Sequence, residues 1–262
     1  MEQELVLDQV KKIRRIHPVI GGRKLYAILQ PFLLEHQVKI GRDALFDLLA
    51  AHSLLVRKKK RRVYTTQSFH WLRKYPNCIK ELVPCRTNEV WVSDITYYKT
   101  QNGFVYISFI TDAYSRKIIG YHAAGTLEAA HTLSALKMAI ASAKESLNGL
   151  IHHSDRGIQY CSHEYVKLLQ DNQIMISMTE NGDPLENAIA ERVNGILKEE
   201  YLNHYSLTDI EEVREILKSS VNKYNTLRPH MSCNMLTPSD VYMNNLPTER
   251  NWKNYYKKKI EM

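Results

Sequence analysis

The chain has 262 residues, 44% of which are hydrophobic, and a formal net charge of +8. This length and composition suffice for a buried core and exclude a disordered chain or a membrane-spanning one, because no apolar run is as long as a bilayer span. The four cysteines show no CxxC spacing, and the first residues lack a signal-peptide pattern. We therefore expect a reduced, cytoplasmic protein with no disulfide framework and no zinc module.

The positive charge is concentrated in the front third of the chain. Residues 1–88 contain 18 Lys or Arg against 7 Asp or Glu, whereas the remainder is slightly acidic. This asymmetry predicts a polyanion-binding module joined to a part with its own carboxylate chemistry. A soluble basic domain without such a ligand is the alternative that charge alone leaves open.

Three helices are predicted within residues 1–56. Apolar residues recur at helical spacing over residues 5–17, again after Gly21-Gly22, where Pro31 is expected to kink or end the helix, and once more from Gly41 onward. Helix, tight turn with Gly, helix is the outline of a DNA-binding helix-turn-helix, which would place Arg42 at the start of the recognition helix. A plain helical hairpin is the alternative.

A run of six basic residues follows this helical part. Like charges at this density cannot pack and favour an extended segment that binds phosphates, although composition alone also allows a nuclear-localisation signal. We read residues 57–87 as a basic linker. The predicted DNA contacts in it are Arg57, Lys58, Lys59, Lys60, Arg61 and Arg62.

From Glu89 onward the pattern becomes that of an α/β fold. Three strands in a meander, with a hairpin signal at Asn102-Gly103, precede an alternation of helices and strands. The order β-β-β-α-β-α-β-α predicts a mixed five-stranded sheet flanked by helices. The strands are expected at residues 90–98, 104–111, 116–123, 150–155 and 174–178, and the helices at 127–146, 162–172 (capped by Ser162), 185–203 and 209–225 (capped by Thr208).

Three carboxylates in this part are candidates for metal-dependent chemistry. Asp94 lies in the middle of an apolar strand, Asp155 ends another strand, and Glu191 lies on the polar face of a helix together with Asn187, Asn194 and Lys198. Carboxylates that converge repel one another unless divalent cations neutralise them, and oxygen ligands favour Mg²⁺ or Mn²⁺. Two such ions suit phosphodiester chemistry. For Glu191 alone, an ordinary solvated side chain is the alternative.

The spacing of these carboxylates matches a known family. Sixty residues separate Asp94 from Asp155, and 35 separate Asp155 from Glu191. This resembles the D,D(35)E pattern of the retroviral-integrase-like transposases, and the chain looks like the second-reading-frame (OrfB) product of a bacterial insertion sequence of family three. The matching stretches are Trp91–Tyr97, His152–Tyr160, Asn187–Lys198, Arg228-Pro229-His230 and Leu236-Thr237-Pro238.

The resemblance implies a function and a site. Residues 88–245 would form a ribonuclease-H-like integrase core, followed by a basic tail at 246–262. The enzyme would hydrolyse DNA at the element ends and then join the freed 3′-hydroxyl to DNA by transesterification. Asp94, Asp155 and Glu191 would be the catalytic ligands of two Mg²⁺ or Mn²⁺ ions. Candidate DNA contacts on the core are His153, Gln159, Asn187 and Lys198.

The implied partners are double-stranded DNA, further copies of the chain, and an upstream OrfA-type DNA-binding protein. The chain departs from many relatives at Glu186 and at Gly21-Gly22-Arg23, which affects local DNA contacts and leaves the three carboxylates unchanged. The residues also allow two rival functions, a ribonuclease-H-like nuclease and a non-catalytic DNA-binding regulator.

Overall fold

The computed structural model describes residues 2–56, 71–143, 147–180 and 184–248. Its first part consists of α1 (Glu2–Ile16), α2 (Gly22–Glu35) and α3 (Arg42–Ala51). Their apolar faces share one cluster of buried side chains that includes Val10, Leu29 and Leu45. The helical periodicity of this region therefore predicted the right elements. Pro31 does not end α2, because the helix continues to Glu35.

Within the described ranges the strands form one mixed five-stranded sheet, in the order β3-β2-β1-β4-β5. The first three strands are antiparallel neighbours, and β4 and β5 are added in parallel on the other side of β1. This arrangement confirms the predicted fold class. The strands are β1 (Val90–Thr100), β2 (Gly103–Asp112), β3 (Ile118–Ala124), β4 (Ile151–Ser154) and β5 (Met175–Met178).

Helices cover both faces of the sheet. One apolar cluster joins β1 and β2 to α6 and α7 through side chains such as Phe109, Val193 and Leu217. A second cluster joins the sheet to α4 and α5 through Trp91, Leu136 and others. Three of the four residues in each of β4 and β5 are buried, as is usual for parallel strands that are covered on both faces, although β4 itself is largely polar. The helices are α4 (Ala129–Ser142), α5 (His163–Asp171), α6 (Ala188–Glu200), α7 (Ile210–Thr226) and α8 (Pro238–Asn244).

The segment before β1 has no helix or strand in its described part, residues 71–89. It runs beside β5, where Cys78 N donates to Ser177 Oγ at 2.8 Å and Met178 N donates to Pro76 O at 3.2 Å. It therefore covers an edge of the sheet that would otherwise expose backbone groups. None of the helices in the described part combines the length and apolar character needed to cross a membrane.

Helix ends differ from the predicted caps in two places. Asp209, not Thr208, caps α7, since its Oδ1 accepts hydrogen bonds of 3.0 Å from the amides of Glu211 and Glu212. Ser162 makes no side-chain cap on α5. A further helix, α8, was not predicted. It begins with a capping box in which Thr237 and Asp240 satisfy each other's backbone amides.

Candidate active site

The sheet brings Asp94 and Asp155 to the same level. Val92 of β1 pairs in parallel with His153 of β4, and each aspartate lies two residues beyond its paired residue. Side chains two residues apart on a strand leave the sheet on the same face. The parallel register of two adjacent strands therefore places the two carboxylates side by side.

Helix α6 brings the third carboxylate to these two. Asn187 Nδ2 donates to Ser93 O at 3.0 Å, and Asn194 Nδ2 donates to Asp94 Oδ2 at 2.7 Å. These two contacts fix α6 across β1 on either side of Glu191, whose own side chain is exposed. The polar side of α6 that carries Glu191 is thus partly turned towards the sheet.

The three carboxylates act on one another electrostatically. The pKa of Asp94 is raised to about 8, first by burial and then by the negative charges of Asp155 and Glu191. Hydrogen bonds from the Ile95 amide and from Asn194 oppose this rise. A half-buried carboxylate beside two others is a position where a bound cation relieves the repulsion.

The donors present fit a hard divalent cation by their chemistry. Asp94, Asp155 and Glu191 offer carboxylate oxygens, and the buried Oδ1 of Asn194 has no hydrogen-bond partner among the described residues. Oxygen donors of this kind suit Mg²⁺ or Mn²⁺. In the described ranges no three His, Cys, Asp or Glu side chains converge tightly enough to form a metal site as they stand. Of the three carboxylates, Glu191 is the exposed one, and its charge contributes to the raised pKa of Asp94.

A backbone amide holds Asp155, and a pair of buried hydroxyl groups lies on the other face of β1 from Asp94. Gly157 N donates to Asp155 Oδ1 at 2.9 Å, and a Cβ at Gly157 would lie only 3.0 Å from that oxygen. The hydroxyl groups of Tyr160 and Ser93 lie 3.1 Å apart, on the opposite face of the sheet from Asp94, because consecutive side chains of a strand alternate in direction. Burial, followed by the charges of Asp155 and Asp94, raises the pKa of Tyr160 well above its usual value, so it stays neutral. The roles of Asn194 and Tyr160 were not predicted. Asn194 follows Glu191 by three positions, which places both on one side of a helix, and this spacing was the available signal for Asn194.

Two of the predicted DNA contacts are buried. His153 is 0% exposed, its Nδ1 lies 2.9 Å from Ser177 Oγ, and burial lowers its pKa to about 4. Asn187 is 6% exposed and is bound to the backbone of β1. Neither side chain presents a surface to DNA in this structure. In this structure both side chains support the strands and the helix that carry the carboxylates, and a contact of either with DNA stays a prediction.

Three further predicted DNA contacts, Gln159, Lys198 and Arg42, lie at or near the surface. Gln159 donates to the backbone oxygen of Leu127 at 3.1 Å, and Lys198 places Nζ 4.5 Å from the centre of the Tyr97 ring. Arg42 is exposed at the start of α3. The basic run Arg57–Arg62 lies outside the described residues.

Comparisons with known proteins give the context for this geometry. Two models described as integrase core domain match residues 84–184 and 172–238. The chain is 34% identical to the insertion element IS600 uncharacterized 31 kDa protein of Shigella sonnei, over 86% of this chain and 82% of that protein. It is 31% identical to the transposase for insertion sequence element IS629 of Shigella sonnei, over 83% of this chain and 73% of the relative.

A solved structure supports the fold. A chain of the cryo-EM structure of the simian T-cell lymphotropic virus intasome in complex with PP2A regulatory subunit B56 gamma superposes with a TM-score of 0.52 at 18% identity. The match covers 94% of this chain and 78% of that chain. At this identity it shows that the sheet and its helices have the ribonuclease-H-like arrangement of integrase cores.

Proposed function

The chain belongs to the IS3-type family of DDE transposases of insertion sequences, which cut and join DNA, and we propose that Asp94, Asp155 and Glu191 are its catalytic carboxylates. The observation that carries this assignment is the shared level of Asp94 and Asp155 on β1 and β4, with α6 bound across them. The effect of the Asp155 and Glu191 charges on the pKa of Asp94 supports it.

The three carboxylates would hold two Mg²⁺ or Mn²⁺ ions, which when bound activate an attacking oxygen and stabilise the leaving oxygen in phosphodiester chemistry. Asp94 has to be ionised for this purpose, and its hydrogen bonds from Asn194 and Ile95 favour the ionised form. Asp155 is held in one orientation by the Gly157 amide. Glu191 projects from a helix whose ends are fixed, so it can approach from the open side.

The proposed reaction has two steps at one site. In the first, water adds to a phosphorus atom at the element end and the 3′-oxygen leaves, taking a proton to become a 3′-hydroxyl. In the second, that hydroxyl attacks a phosphodiester of the target DNA, so one phosphodiester bond forms as another breaks. Both steps pass through similar transition states, which allows the same carboxylates to serve both.

We propose that the DNA path runs from the helical part to the core. Residues 1–56 would act as a helix-turn-helix unit with Arg42 at the DNA, residues 57–87 as a basic linker, and residues 88–245 as the core, followed by the tail at 246–262. Gln159 follows Asp155 by four residues and Lys198 lies about two turns beyond Glu191 on α6, and both would contact phosphates or bases. Element DNA places this reaction in the bacterial cytoplasm.

Assembly of several copies is part of the proposal, because two element ends must be joined to one target. The chain of similar fold described above belongs to an intasome. An upstream OrfA-type protein would add recognition of the element ends.

The test is incubation of the purified chain, alone and with the upstream reading-frame product, with Mg²⁺ and labelled DNA that carries the element ends. Strand transfer supports the transposase. Cleavage of RNA–DNA hybrids without end preference supports a ribonuclease-H-like nuclease, and binding without cleavage supports a regulator. The matched control is Glu191→Gln, which removes one charge and preserves side-chain size.

A further inference from the structure

The N-terminal helical unit, residues 2–56, contacts the far end of the helix that carries Glu191. His17 Nδ1 lies 2.9 Å from Tyr201 Oη, and Lys24 Nζ lies 3.8 Å from Glu200 Oε1. Glu200 is the last residue of α6 and Tyr201 follows it. His17 and Tyr201 are 3% and 2% exposed. The contact is therefore a buried polar junction between the helical unit and the core.

The core side of this junction is rigid. Arg228 is fully buried and donates from Nε and Nη2 to the two carboxylate oxygens of Glu200, each at 2.7 Å. Two parallel hydrogen bonds hold a carboxylate in one orientation. Burial by itself would raise the pKa of Glu200, but the hydrogen bonds and charge of Arg228, followed by the charge of Lys24, lower it on balance. Glu200 is thus a fixed anion shared by the two parts.

The junction is connected to the active site through α6. This helix bears Glu191 near its start, Asn194 in its middle and Glu200 at its end. Arg192, the neighbour of Glu191, lies close enough for its charge to help lower the pKa values of Lys24 and Glu200. Asn187 and Asn194 hold the first half of α6, and Glu200 and Tyr201 hold its end. Because the helix moves as one body, a shift at its end reaches Glu191.

We infer that Lys24 and His17 are positioning residues for Glu191, through which the helical unit fixes the helix that carries the third carboxylate. The inference rests on the proposed function for its catalytic consequence. Its structural content, that the helical unit stabilises α6, stands independently. If the helical unit binds DNA, the position that it takes on DNA affects, through α6, the position of Glu191 relative to Asp94 and Asp155.

The test uses the full chain with Lys24→Gln and Tyr201→Phe combined. This variant removes both polar contacts to the helical unit and leaves the Tyr201 ring and the Arg228–Glu200 pair in place. The control combines Lys11→Gln and Tyr205→Phe, two exposed side chains of the same types. Amide hydrogen exchange is measured across residues 188–200 and, as a reference for global stability, across β2.

We expect exchange in α6 to rise by about fivefold or more in the variant, with exchange in β2 and in the control within about twofold of wild type. Cleavage at saturating element-end DNA should slow by a similar factor while DNA affinity stays within about twofold. Unchanged exchange in α6, or an equal rise in β2, would overturn the inference whether or not the chain cleaves DNA. A loss confined to DNA affinity would also overturn it. Absence of cleavage in wild type contradicts the proposed function alone.

Discussion

The side-chain amide of Asn194 donates a hydrogen bond of 2.7 Å to the carboxylate of Asp94, which ties the Glu191 helix to the central strand. Hydrogen bonds to charged groups contribute about 1.5–3 kcal/mol. Asn194→Ala should therefore lower the DNA cleavage rate by roughly 10–100-fold, because each 1.4 kcal/mol or so is tenfold in rate. Single-turnover cleavage at saturating DNA measures this effect. Asn222→Ala, an exposed asparagine on α7, is the control and should leave the rate unchanged.

Gly120 sets the distance between β3 and α4. A Cβ at this position would collide with the backbone oxygen of Ala135 and lie 2.9 Å from the Cβ of Ala139. Gly120→Ala should lower the free energy of unfolding by about 1–3 kcal/mol, since a packed helix has to move away from the sheet. Urea denaturation measures this change. Gly125→Ala is the matched control, because a Cβ there meets nothing within 4 Å. An equal loss in both variants would show that contact with α4 is not the cause.

The buried Arg228–Glu200 pair should be far more important for stability than a surface pair. Arg228→Ala leaves the Glu200 carboxylate in a site with little solvent and should cost roughly 3–5 kcal/mol in the free energy of unfolding. Lys11→Ala breaks the exposed Lys11–Asp8 pair, whose side chains are 64% and 69% exposed. That change should cost less than about 1 kcal/mol. Chemical denaturation of both variants decides the comparison, and similar losses would contradict the assigned burial.

His17 should make the protein less stable in mild acid. Burial, followed by the charge of Arg228, lowers its pKa from 6.5 to about 4. Between these values the unfolded chain binds a proton that the folded chain excludes, so stability is full above pH 6.5 and is lost as the pH falls towards 4.

His17→Gln should therefore reduce the difference in unfolding free energy between about pH 7 and pH 4.5 by roughly 2–3 kcal/mol. Other groups with shifted pKa values, among them His152, His153 and His230, contribute to the pH dependence that remains. Denaturation curves at the two pH values measure the effect. His52→Gln changes an exposed histidine and serves as the control. An unaltered pH dependence in His17→Gln would show that His17 binds its proton equally in both states.

Much of the fold could be predicted from residue patterns because the signals are local. Alternation of β-branched and aromatic residues marks β1 to β3, and helical spacing of apolar residues marks α1 to α7. Asp94 and Asp155 were recognisable since a carboxylate inside or directly after an apolar strand needs a partner. Helix α8 escaped prediction because it is only seven residues long.

The contacts that tie distant parts together could not be predicted. His153 and Asn187 look like surface groups, yet the first lies in a strand covered on both faces and the second on a helix face turned towards β1. Arg228 and Glu200 are 28 residues apart, and their pairing depends on how α6 and α7 pack. Such contacts are set by tertiary packing, which no local pattern encodes.

The most direct test of the account is strand transfer by the single variants Asp94→Asn, Asp155→Asn and Glu191→Gln, with DNA affinity measured in parallel. Because the three carboxylates act as one unit, the strand-transfer rate of each variant should be at least about 100-fold below that of wild type. Affinity for element-end DNA should stay near the wild-type value. Any of the three variants that keeps strand transfer within about tenfold of wild type would contradict the claim that these carboxylates form the catalytic site.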